Sequence, residues 1–178
     1  MDDILKRISE ERDFFTKIID KIPGFAGYVE RAERRSADKL LRENIADRFE
    51  SLWSRISEIQ KDAISNGDIE IIDELESSAL KLRQFIDRVR TASYGYAGFF
   101  DPIRIRTEEL VAIYQYDLTL LTLEEEISRA IDNVESSIGT DGLPAATRHL
   151  RNLAQQSLEA FNKRKEVIVN LSENQEAE

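Results

Sequence analysis

Cysteine is absent, and glycine and proline are scarce, with seven and three in 178 residues. Without a thiol the chain has no disulfide, no thiolate nucleophile and no cysteine-ligated zinc or iron–sulfur site. Histidine occurs once, as His149, and no Glu-x-x-His pair is present. That excludes the usual di-iron or di-manganese site of a helical bundle, which takes two such pairs plus a Glu from each of two further helices. No apolar run approaches the ~18 residues of a membrane span. The start, Met1-Asp2-Asp3-Ile4-Leu5-Lys6, is acidic and lacks the basic lead and apolar core of a signal peptide, so a cytoplasmic protein is expected. Walker loop, G-x-S-x-G, dinucleotide fingerprint and EF-hand loop are all missing, and no cofactor or catalytic residue is expected.

What is present is charge. Charged residues make up 34% of the chain against about 25% on average, while aromatics are only 8%. Such a mixture, poor in turn formers, suits long solvated helices better than a sheet. The net charge of −10 disfavours nonspecific nucleic-acid binding, which needs Lys and Arg in excess. The excess is uneven: residues 1–65 carry 13 basic and 14 acidic side chains, residues 66–178 carry 12 and 21. Partners of opposite character could therefore meet opposite ends of the chain.

Glycine and proline fall only at 23–27, 67, 95–102 and 139–144, which divides the chain into five segments of helical spacing. In 2–22, Ile4, Ile8, Phe15, Ile18 and Ile22 form a stripe ended by Pro23-Gly24. From about Tyr28 to Ser65, the residues Leu41, Ile45, Phe49, Leu52, Ile56, Ile59 and Ala63 alternate steps of three and four. Asn66-Gly67 closes that helix and Asp68 is placed to cap the next. The third segment has the cleanest seam, Ile72, Leu75, Ala79, Leu82, Ile86 and Val89. The fourth, from Pro102 or Thr107 to Ile138, has Asp117 and Glu124 where apolar residues belong. The fifth, 144–172, carries Leu150, Leu153, Leu158, Phe161, Ile168 and Leu171, and the acidic residues 173–178 are expected to fray.

The spacing predicts an all-α, up-and-down bundle of four to five long helices, forming one domain over residues 1–172 with coiled-coil-like packing. Gly24-Phe25-Ala26-Gly27-Tyr28-Val29-Glu30 and Gly95-Tyr96-Ala97-Gly98-Phe99-Phe100-Asp101 share one order of glycine, aromatic, alanine, glycine, aromatic, apolar, acid. Residues 14–20 also echo residues 85–91, so the bundle reads as a duplicated helix–elbow–helix unit.

Three constellations stand out, each with a plainer alternative. Phe25, Tyr28, Tyr94, Tyr96, Phe99 and Phe100 gather six of the fourteen aromatics at the elbows. They form a docking surface, where rings give contact area at low entropy cost, or else they plug the bundle end. Arg31, Arg35, Lys39 and Arg42 fall on one helical face within roughly 80°. That stripe holds an acidic partner segment, a phosphate-bearing ligand or a membrane surface, or is a solvated face balanced by Glu30, Glu33, Asp38 and Glu43. Arg34 and Asp38 continue the seam above Leu41, facing the interruptions at Asp117 and Glu124. Either these four make a buried polar layer or those portions of helix leave the core.

The stretch Ile22 to Tyr28, the stretch Glu33 to Arg42 and the stretch Tyr94 to Phe100 resemble segments of prokaryotic all-helical proteins with paired glycine/aromatic elbows. The resemblance covers the first 100 residues, and no activity is attached to it. The function expected is therefore a non-enzymatic interaction or scaffold module working through helix faces and elbows, with a protein partner and self-association of the bundle. Its rivals are a peripheral membrane-stress or remodelling protein and, more remotely, a carboxylate-metal enzyme built on Asp117 and Glu124.

Overall fold

The computed structural model describes residues 13, 16–22, 25, 34–92 and 107–176. Everything regular in them is helical. A short helical stretch covers 16–21, followed by α1 (Arg34–Asn66), α2 (Ile72–Thr91), α3 (Thr107–Ser137) and α4 (Leu143–Glu176), with a single 3-10 turn at Ile69–Ile71 before α2. An all-α bundle is thus the fold. Helix α1 runs to Asn66 as the glycine signal requires, and its expected beginning at 28–33 lies outside the described residues.

The order around the bundle is α1, α2, α4, α3, with α1 and α4 on one diagonal and α2 and α3 on the other. Neighbours joined by a short turn run antiparallel. The other two pairs, α1 with α3 and α2 with α4, run parallel, because each hairpin enters from the same end. Lateral contacts show this directly: Arg48 reaches Glu124 and Arg55 reaches Asp132, while Lys81 reaches Gln155 and Arg88 reaches Asn162. Across α1 and α2 the order reverses, with Arg83 meeting Glu50 and Arg90 meeting Asp47.

Both turns close on glycine for a physical reason. Gly67 and Gly139 adopt φ of 83° and 78°, where a Cβ clashes with its own backbone. At Gly67 the Asp68 N–H donates to the carbonyl of Ala63 at 2.9 Å and the Gly67 N–H to that of Ile64 at 3.3 Å, the paired bonds of a Schellman ending. Asp68 precedes the 3-10 turn without donating or accepting a side-chain capping bond, a correction to its expected role.

The alternating seam of α1 is buried throughout, from Leu41 to Ala63, and so are Leu75, Ala79, Leu82, Ile86 and Val89 of α2. Phe85 joins three helices: its ring lies 4.2 Å from that of Phe49 and 5.9 Å, edge-on, from that of Phe161. Ile18, Ile22 and Phe25 belong to the same core. Ile138, placed on the α3 seam by spacing, is instead exposed beyond the helix end. Helix α4 continues to Glu176, through residues where fraying was expected.

Candidate functional site

A layer of four charges crosses the bundle at the end opposite the two glycine turns. Asp38 and Arg42 lie one turn apart near the start of α1, Asp117 stands in α3 and Arg164 in α4. Arg164 is 1% exposed and Asp117 1%. A charge so far from water is tolerated only when paired and hydrogen-bonded. Here the pairing is continuous. Arg164 donates from Nε to Asp117 Oδ1 at 2.8 Å, and from Nη2 to Asp117 Oδ2 at 3.3 Å and Asp38 Oδ1 at 2.6 Å. Arg42 donates from Nε to Asp38 Oδ2 at 2.8 Å and from Nη1 to the carbonyl of Val89, in the last turn of α2, at 3.1 Å. Two guanidinium groups and two carboxylates therefore cancel in charge and tie all four helices together.

The electrostatics follow from burial. Desolvation pushes the Asp117 carboxyl above its ordinary value, more than the Arg164 guanidinium beside it pulls it down. Burial works against the Arg164 charge too, but the charges of Asp117 and Asp38 and its bonds to both outweigh it, so the guanidinium is held above its ordinary value. Each oxygen of the two aspartates accepts from an arginine, which leaves neither carboxylate aimed at a substrate.

Of the four residues expected in a buried polar layer, the structure brings Asp38 and Asp117 together. Glu124 is not with them. It sits on the lateral seam and pairs with Arg48 at 3.1 Å, seven residues further along α3. Arg34 is within α1, and its side chain lies outside the described residues. The cations of the layer are Arg42 and Arg164. Helical spacing sets Arg42 on the basic stripe with Arg31, Arg35 and Lys39, but it is 5% exposed and turned inward, so it does not belong to a docking face. Lys39 remains exposed, 3.6 Å from Glu43. Arg31 and the side chain of Arg35 lie outside the described residues, as do Tyr28, Tyr94, Tyr96, Phe99 and Phe100. Phe25 is 2% exposed and part of the core, so it closes the bundle rather than presenting a surface.

Arg164 is not among the residues that interrupted seams single out, yet the α4 spacing carries a signal for it. Positions 150, 153, 157, 161 and 164 keep the step of three and four, so an inward arginine was implied by continuing the seam.

Among the described residues no group of three or more metal-ligating side chains occurs, and no helix is long and apolar enough to cross a membrane. No protein-family model matches this chain, and neither does any curated protein or solved structure.

Proposed function

We propose that this protein is a non-enzymatic protein–protein interaction or scaffold module, working through helix faces and its aromatic/glycine elbows. The supporting observation is the state of the interior. The four charged groups buried among the described residues are spent on one another, so they hold helices in place and leave the chemistry of recognition to the surface. Asp117 and Glu124, the carboxylates that a metal enzyme would need, are committed to different arginines. The membrane reading loses Arg42 from its basic stripe.

Affinity capture with mass spectrometry, coupled to light scattering, tests the proposal. Alanine at Tyr96 and Phe99 is expected to weaken the captured complex while leaving the helical circular dichroism intact. Phe25→Ala, by contrast, is expected to cost about 3–5 kcal/mol of stability, as for other buried phenylalanines. Equal loss of folding and capture at Tyr96 and Phe99 would reassign those rings to the core.

A further inference from the structure

The end of the bundle that carries both glycine turns has a surface of its own. Ile64, Ile69 and Ile138 are 65%, 74% and 42% exposed, three of the four large aliphatic side chains left open on the described body. Isolated exposed aliphatics are ordinary, whereas a group of them at one end is not. Between the turns lies an open cleft of about 430 Å³, lined by Asp68, Ile69 and Glu70 on one side and Thr140, Asp141 and Pro144 on the other. Asp68, Glu70 and Asp141 of the lining are exposed, as are Asp62 near the end of α1 and Asp73 at the start of α2, and none of the five is ion-paired among the described residues. Lys61 and Arg148 are the nearby exceptions in sign. Along the edge where α1 lies beside α3, by contrast, acids are matched by arginines, as Glu124 is by Arg48 and Asp132 by Arg55.

From this we infer that the cleft between the Gly67 and Gly139 turns is a docking surface for a basic segment of a partner protein that also carries aliphatic side chains. Exposed Ile69 in the lining supplies apolar contact, and the unmatched carboxylates select the sign of the partner and speed its approach. A second copy presenting the same end would bring like charges together, and an anionic lipid surface would be repelled. The inference deepens the interaction reading by naming a partner class, at the end of the bundle away from the charged layer.

The test uses the full chain and a fluorescein-labelled amphipathic peptide with isoleucines on one face and lysines on the other. Saturable binding is expected, with amide shifts confined to residues 67–71 and 140–144. Exchanging the peptide's isoleucines for serine, or introducing D68N together with D141N, is expected to weaken binding about tenfold. I69S, a change at an exposed position, is expected to weaken it as well. Circular dichroism of each variant establishes that the fold is kept. No saturable binding, equal binding of the serine peptide, indifference to D68N/D141N, or shifts centred elsewhere would each overturn the inference. So would calcium chloride alone moving the same amides, since the cleft would then be a cation site. Failure here with elbow-dependent capture intact overturns this inference and leaves the broader proposal standing; loss of elbow dependence with peptide binding intact does the reverse.

Discussion

At the scale of single residues, Arg164 holds the position with the largest consequences. Its guanidinium is the common partner of Asp38 and Asp117, so removing it strands two carboxylates in the interior. Arg164→Met is expected to cost about 3–5 kcal/mol, read as a lowered denaturant midpoint. Replacing both ends of the pair at once, as Arg164→Met with Asp117→Leu, is expected to recover part of that loss, because the uncompensated charge goes too. The raised carboxyl of Asp117 adds a dependence on pH. A group that binds its proton more tightly when folded stabilises fully below its unfolded value of about 3.9, and that contribution is lost as pH rises through the folded value. Stability of the native protein relative to Asp117→Asn should therefore increase as pH is lowered toward 4. A flat difference across that range in urea titrations would show that Asp117 does not titrate in the fold.

Among the helices and turns, glycine separates two kinds of position. Gly67 and Gly139 occupy the left-handed region with nothing within 4 Å of an added Cβ, so the cost of alanine there is backbone strain alone. Each substitution is expected to destabilise by about 1–2 kcal/mol. Gly142 lacks that geometry; an added Cβ would lie in ordinary contact with Thr140 Oγ1 at 3.5 Å, and Gly142→Ala is expected to be neutral within about 0.5 kcal/mol. Thermal melts of the three variants decide between these expectations.

The turns were legible in the sequence for the same reason, since a lone glycine between two helical periods has few other uses. So were the helix seams, because a period of three and four over many turns leaves little choice of buried face. What spacing alone could not say was which polar residues follow the seam inward. Arg42 lies beside Leu41, close to both the buried face and a stripe of basic residues, and a wheel assigns it to either. Only the position of Val89 and Asp38 around it settles the matter. Glu124 interrupts the α3 stripe as Asp117 does, yet it reaches the lateral edge and half-exposed Arg48. Partner choice across helices is a property of tertiary register, which no single helix encodes.

Taken whole, the molecule has one core shared by both hairpins, with Phe85 of α2 packed against both Phe49 of α1 and Phe161 of α4. A shared core favours cooperative loss of structure. The single tryptophan, Trp53, is half-buried on α1 with the Arg83 guanidinium 5.6 Å from its ring, and so reports on the α1/α2 hairpin. Its fluorescence and the far-ultraviolet circular dichroism are expected to change at the same urea concentration. Separate midpoints would mean that the hairpins unfold independently.

The lateral ion pairs carry a final consequence. Where α1 lies beside α3, Arg48 and Arg55 stand on the first helix and Glu124, Asp132 and Glu135 on the second, so the seam has a direction. Sliding one rod by a single pitch of about 5.4 Å would tear every one of these links while leaving aliphatic contact almost unchanged. Grease alone tolerates such slippage; the charged edge works as a vernier, admitting one vertical alignment. Swapping the signs across that edge, with arginine on α3 and acids on α1, should preserve the alignment, whereas reversing one side alone should free it.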